Sequence, residues 1–346
     1  MQVTLRPDGL LERVALWLNL GPVPVALSFF GMMSSRAAMA GVRLGVFAAL
    51  VDRTLSAQQV AQQLGLSPDG ALYLLEALAV VGVVQPTRGG YTLQPRSRRW
   101  LDPRSDHYVG DFLEYNYAQW DWWSQLEEAI RTGQGPQIHA FPPEDPRWRS
   151  YMLAMFQLGR LAGPEVVGHL DLGASPRRLL DIGGSHGWFS ELLCLKYPTL
   201  QATVLDLPGA ATAGKKLLAE KGHSGRVEHR AGDLAVEDFG AGLDGVLLFQ
   251  VLHHLSEAEC RALLGKIAAS LRPGGKLAVL EFFAERAESR VDASALIGLH
   301  YFLTSSAAAY PRETILGWMR EAGLRIEKMK RIRRIPFQSL VVAARM

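Results

Sequence analysis

Leu180-Asp181-Ile182-Gly183-Gly184-Ser185-His186-Gly187 is the stretch on which the fold turns. A short apolar run over 179–182 ends in a glycine-rich turn, and a helical pattern follows over 189–196. Glycines at such a strand-to-helix turn let backbone amides approach a ligand closely. Alone the turn is a weak signal, because nucleotide and dinucleotide sites share it. Two acids narrow it. The next strand ends in Asp206, placed to accept both ribose hydroxyls of an adenosine. The strand after that leads into Gly232-Asp233-Leu234, where a second acid suits an adenine amino group. No lysine of the triphosphate-binding type follows the turn, which argues against a triphosphate.

Outward from that turn the same alternation continues. Strand-like runs at 202–205, 227–230, 245–249 and 276–281 alternate with helical stretches at 210–221, 256–271 and 312–322. Two closing strands fall near 325–330 and 338–343. This is the pattern of a doubly wound α/β sheet. The 346 residues suggest two domains, and 48% apolar with 21% charged residues is ordinary globular composition. A formal charge of +3 is too small a bias to argue for nucleic acid. Cys194 and Cys260 are two isolated thiols, which fit a reducing cytoplasm and give no disulfide framework.

Before residue 105 the reading is mostly helical. Ser34 or Ser35 is expected to cap a helix over 36–51, Ser56 one over 57–64, and Ser67-Pro68 a third reaching Val80. Alternating residues on either side of Arg88-Gly89-Gly90 give a hairpin. Helix, helix, helix, hairpin is a winged helix-turn-helix. Its third helix carries Asp69 and Glu76 and no Lys, Arg, Asn or Gln, so a dimerisation role is favoured over DNA reading. The uncharged stretch 14–33 raises a membrane span. Asn19, Gly21, Pro22 and Pro24 would break it, and two short apolar helices buried in a core or a dimer interface are expected instead.

Residues 108–123 hold Tyr108, Phe112, Tyr115, Tyr117, Trp120, Trp122 and Trp123. A loop rich in Gly and Pro follows over 132–146, then a helix over 147–161 with Met152, Met155 and Phe156. Such an aromatic stripe serves either a core or a ligand pocket.

These motifs, in this order, resemble class I methyltransferases, and more narrowly the caffeic acid, acetylserotonin and hydroxyneurosporene O-methyltransferase family. Leu180–Gly187, Asp206-Leu207-Pro208-Gly209, Ala231-Gly232-Asp233-Leu234 and Leu271-Arg272-Pro273-Gly274-Gly275-Lys276-Leu277 carry the resemblance. It implies a Rossmann-like α/β domain with a mostly parallel seven-stranded sheet over 166–346. It also implies a winged-helix dimerisation domain over 1–105, an aromatic-rich connector over 106–165, and a cytoplasmic homodimer. S-adenosylmethionine is the implied cofactor, with S-adenosylhomocysteine as product. Gly183, Gly184 and Gly187 would line its methionine end. Asp206 would hold the ribose, Leu207 and Leu234 would pack on the adenine, and Asp233 would bind its amine.

In that family a catalytic histidine begins a His-Asp-Trp motif. Here the matching run is His253-His254-Leu255, which places His253 as base, with Glu281 to orient it. His254 and Leu255 depart from the motif. A second family glutamate aligns with Ala309, and the nearest acid is Glu313. That departure keeps open a C-methyltransferase, for example on a tetrapyrrole ring, or a non-methylating enzyme that uses the same cofactor. Trp120, Met155, Phe156, His254 and His300 are expected around a small aromatic or polyketide-like acceptor, with Tyr301 beside His300. Neither a metal site nor a nucleic-acid or membrane partner is expected.

Overall fold

Helix α1 covers Leu10–Trp17 and α2 covers Val23–Arg43. The computed structural model describes residues 7, 9–136, 138–223, 225–284, 293–305 and 309–346. One correction lies in α2. A helix beginning near Ser34 was expected, yet α2 begins eleven residues earlier and both Ser34 and Ser35 lie inside it. Pro24 sits in its first turn, where a fixed φ and a missing N–H cost nothing. The residue expected to break a helix therefore starts one. Gly45, at φ +75°, then separates α2 from α3 (Val46–Leu50), so 36–51 is two helices rather than one.

The rest of this unit follows its capping residues. Ser56 and Gln59 form a reciprocal capping box on α4 (Ala57–Leu64), which stops at left-handed Gly65. The Ser67 hydroxyl accepts the Gly70 amide at the start of α5 (Pro68–Val80). Strands β1 (Val84–Thr87) and β2 (Gly90–Leu93) pair antiparallel. Gly90 has φ +131°, and a Cβ there would lie 2.3 Å from the Leu55 carbonyl oxygen. Helices α6 (Pro95–Leu101) and α7 (Gly110–Trp123) follow. Phe47, Leu50, Val60, Leu75, Leu78 and Leu93 make the core. By length and composition α2 is apolar enough to cross a membrane. On the single chain its Val25, Phe29, Phe30, Met32 and Met33 are exposed, not buried in a core.

By compactness the chain divides at residues 117/118. The second unit begins with α8 (Leu126–Thr132) and α9 (Arg147–Gly168), the latter longer than expected and carrying Pro164 inside it. Then come β3 (Arg178–Ile182), α10 (Trp188–Lys196), β4 (Gln201–Asp206), α11 (Pro208–Glu220) and β5 (Val227–Ala231). They are followed by β6 (Leu243–Phe249), α12 (Glu257–Ser270), β7 (Leu271–Phe282), α13 (Ser294–Ser305), α14 (Arg312–Glu321), β8 (Leu324–Arg331) and β9 (Gln338–Arg345). Helix α13 was not expected; no alternation in the sequence announced it.

The seven strands run in the order β5-β4-β3-β6-β7-β9-β8. The first five are parallel, and β9 is antiparallel to both neighbours. Every residue of β6 is buried, as a strand covered on both faces requires. From β3 the chain winds outward to β4 and β5, then returns to β6 on the other side. That reversal opens a crevice beyond the C-terminal ends of β3 and β6, where open α/β sheets bind ligands.

Candidate active site

Three residues of the turn after β3 have left-handed φ: Gly183 at +64°, Ser185 at +54° and Gly187 at +68°. Gly184 lies against the Asp181 carboxyl, where a Cβ would stand 2.4 Å from Cγ. Asp181 is buried and accepts the Ser190 hydroxyl at 2.7 Å. Burial pushes its carboxyl up to about 7. The first acid of the motif therefore braces the turn from behind.

Asp206, at the end of β4, faces the crevice. It accepts the Ser185 amide at 2.8 Å and the Leu207 amide at 2.8 Å. Burial raises its carboxyl to about 6, against the pull of those two bonds. Asp233, beyond β5, accepts the Ala235 amide at 2.9 Å. A cavity of about 370 Å³ lies here, and Gly183, Asp206, Leu207, Asp233, Leu234 and His254 are among its walls. Gly184 and Gly187 shape the turn without lining it. The donor set fits an adenosine: two acids at successive strand ends, two leucines for the ring, and a turn with no Cβ at Gly183.

At the end of β6 the chain makes one 3₁₀ turn, Leu252–His254. His253 is buried, and its Nδ1 lies 3.0 Å from Oε2 of buried Glu281. The other oxygen, Oε1, accepts the Leu252 amide at 3.0 Å. Glu281 thus holds both the backbone of the turn and one ring nitrogen. A carboxylate can only accept, so this contact calls for the ring hydrogen on Nδ1 and turns Nε2 away from Glu281. The Tyr301 ring stacks on His253 with centroids 3.7 Å apart.

His254 lines the cavity, and its Nδ1 is 2.6 Å from Ser305 Oγ. Burial, and then the neighbouring His253, His139 and His300, hold its basicity well below the ordinary histidine range. His139 and His300 are each lowered to about 4, chiefly by burial. Among the described residues, no group of three His, Cys, Asp or Glu side chains is placed to hold a metal ion.

Five residues expected around the acceptor do not line this cavity, and neither does His253. Phe156 is buried with Trp148, Met152, Ala210 and Leu217, because α9 turns that face toward α11. Met155, one residue earlier, is half-buried on α9. Trp120 is 37% exposed on α7. His300 stacks on Trp123 at 6.1 Å. Tyr301 packs against His253 rather than opening on the cavity. Glu313 is exposed in the first turn of α14, also outside the cavity walls. In their place His139, Tyr151 and Gln250 line it. His139 lies in the loop rich in Gly and Pro, where no periodicity marks a residue as inward.

Residues 123–315 match the O-methyltransferase domain family, and residues 27–103 match the O-methyltransferase dimerisation domain. The 3-hydroxy-5-methyl-1-naphthoate 3-O-methyltransferase of Streptomyces sahachiroi is 27% identical over 85% of this chain and 86% of its own length. The N,N-dimethyltransferase OxyT of Streptomyces rimosus is 25% identical over 94% and 98%. The structure of an O-methyltransferase family protein from Burkholderia thailandensis superposes with a TM-score of 0.77 at 26% identity, covering 98% of this chain and 99% of that one. Sheet order, acid-walled crevice and family matches converge, and the chain belongs to the S-adenosylmethionine-dependent O-methyltransferases that carry an N-terminal dimerisation domain.

Proposed function

We propose that the enzyme works in the cytoplasm as a homodimer and methylates a hydroxyl on a small aromatic or polyketide-like acceptor in specialised-metabolite biosynthesis, with His253 as general base. The observation that carries this is the His253–Glu281 pair, buried and 3.0 Å apart at the end of β6. Bound S-adenosylmethionine supplies an electrophilic methyl on a sulfonium. Asp206 and Asp233 would hold its adenosine, and Gly183 would admit its methionine end. His253 Nε2 takes the acceptor's hydroxyl proton as the oxygen–methyl bond forms, and the carbon–sulfur pair stays on sulfur. Glu281 keeps Nδ1 protonated and the ring oriented while the imidazolium exists. His254 and the loop bearing His139 would contribute neutral hydrogen-bonding groups at the acceptor end.

The test is His253→Ala. Turnover should fall by about 10²–10⁴, while calorimetry gives an S-adenosylhomocysteine affinity close to wild type. Loss of that affinity would remove His253 from the role.

A second reading is transfer to carbon, a tetrapyrrole ring included, or turnover without methyl transfer. It is favoured by the lack of a second carboxylate at the acceptor: Ala309 holds the aligned position, and Glu313 is exposed on α14, outside the cavity walls. A new carbon–methyl bond, or turnover without S-adenosylhomocysteine, would establish it.

A further inference from the structure

We propose that Tyr301 is a positioning residue for the base: its ring is the platform on which the His253 imidazole lies as it takes up the proton. This rests on the reading of His253 as base.

The two ring centroids are 3.7 Å apart and the planes are 8° from parallel. Aromatic pairs ordinarily prefer offset or edge-on contact, because the negative faces of two neutral rings repel. A close, nearly parallel stack suits a different pair, a cation over an electron-rich face. The attraction is weak while the imidazole is neutral and grows as the proton arrives from the acceptor. The platform therefore favours the protonated state of the base over its resting state, which is where an interaction accelerates a reaction.

The surrounding bonds hold the platform in place. Tyr301 donates its hydroxyl hydrogen to Gln250 Oε1 at 2.9 Å. Gln250 donates both its backbone amide, at 2.8 Å, and its side-chain amide, at 3.0 Å, to the Leu280 carbonyl. Gln250 does this from φ +58°, a conformation that costs a residue with a Cβ free energy. Leu280 immediately precedes Glu281. The platform and the carboxylate thus hang from consecutive residues of β7. Glu281 fixes the rotation of the imidazole in its plane, and Tyr301 fixes its tilt. Together they aim Nε2.

The titratable groups around His253 leave this stack undisturbed. Glu281 faces it from β7, His254 from its own turn, His139 from the loop before α9, and His300 and Tyr301 from α13. Burial holds His139, His254 and His300 neutral at ordinary pH. It also keeps the Tyr301 phenol protonated, hence a donor to Gln250.

The test follows the His253 ring by NMR titration in the full-length enzyme saturated with S-adenosylhomocysteine. Three variants separate face, hydroxyl and shape: Tyr301→Phe, Tyr301→Leu, and replacement of Tyr301 by pentafluorophenylalanine. The last keeps the shape and withdraws electron density from the face, so it answers even if Tyr301→Leu does not fold. Tyr301→Phe should leave the midpoint within a few tenths of a pH unit of wild type and turnover within about threefold. The other two should lower the midpoint by about one unit and cut kcat by up to about tenfold. Affinity for S-adenosylhomocysteine should hold in all three. An unmoved midpoint in both would overturn the platform. Should His253→Ala keep its turnover, the base reading falls and the platform with it. An inactive His253→Ala beside a flat Tyr301 series would sink the platform alone.

Discussion

The Asp206 carboxylate accepts the backbone amide of Ser185 at 2.8 Å, tying the end of β4 to the glycine turn after β3. With the Leu207 amide on its other oxygen, it closes the two loops of the crevice on one side chain. On the proposed reading the same carboxylate would also accept the ribose hydroxyls, so fold and cofactor would share one anion. Its cost is visible in the carboxyl being raised to about 6 by burial.

Cofactor affinity should therefore depend on pH. Hydroxyls donating to Asp206 favour its ionised form, so the bound carboxyl titrates below the free one at about 6. Binding then expels a proton at pH values under 6, and affinity falls as pH falls through that value. His139 and His300, near 4, and His186, near 3, stay neutral across this window and contribute nothing to it. Calorimetry with S-adenosylhomocysteine from pH 7.5 to 5.5 should give several-fold weakening. Asp206→Asn should bind about thirtyfold more weakly at pH 7.5, the loss of about 2 kcal/mol of charge-assisted hydrogen bonding, and lose the pH dependence. A pH response that survives in Asp206→Asn would move the effect elsewhere.

Glu281→Gln tests the orientation of the base. The amide oxygen can still accept the Leu252 amide, but its NH₂ would then face His253 Nδ1 and donate to it. That places the imidazole proton on Nε2, where the base must be bare. Turnover should drop by about 10²–10⁴, with the fold and cofactor affinity retained. Wild-type kcat in this variant would mean that the pair is structural.

Much of this was legible in the chain itself. The alternation from 179 onward carried the doubly wound sheet, and Ser56, Gly65 and Ser67 set helix ends that needed no tertiary help. The turn, Asp206, Asp233 and His254 appear together at one cavity because strand C-termini converge wherever the sheet order reverses. The acceptor end was less legible. The aromatic and apolar character of Phe156 and Met155 suits a pocket, yet the 3.6-residue repeat of α9 sends Phe156 into a core. His139 and Tyr301 reach His253 and His254 from segments more than forty residues away, and no local spacing encodes such an approach. The start of α2 is hidden for a different reason: two prolines beside a glycine read as a break, and a proline in the first turn reads the same way from sequence.

His254 should affect the acceptor and not the cofactor. It lines the cavity, and Ser305 Oγ can either donate to or accept from its Nδ1, so Nε2 can meet an oxygen with a lone pair or with a hydrogen. His254→Ala should raise the acceptor KM by about tenfold, the value of one lost hydrogen bond in a desolvated site, and leave S-adenosylhomocysteine binding intact. Ser305→Ala should give a smaller rise. A fall in kcat with KM unchanged would make His254 part of the chemistry instead.

Gly184 should resist any side chain. A Cβ would meet the Asp181 carboxyl at 2.4 Å, and that carboxyl is buried and bound to Ser190, so it has no free direction in which to move. Gly184→Ala should cost about 1–3 kcal/mol and lower the Tm by several degrees. Cofactor affinity should fall as well, because the turn would be pushed into the cavity. A variant with unchanged Tm would show that the turn can rearrange and that Asp181 does not brace it.

The N-terminal helices give the last prediction. Trp17 is 82% exposed on the single chain, and Phe29 and Phe30 are each more than half exposed on α2, at the start of the matched dimerisation domain. Apolar rings of that size are rarely left in water on a stable soluble monomer. Burying each phenylalanine in a partner contributes about 2 kcal/mol, so replacing both with a charged residue removes that gain and adds the cost of burying charge. Phe29→Asp with Phe30→Asp should weaken dimerisation by at least about a hundredfold, read as a monomer by sedimentation velocity at micromolar concentration. Cofactor binding should persist, since Asp206, Asp233 and the glycine turn all belong to the second unit. A double variant that still sediments as a dimer would place the interface elsewhere in the chain.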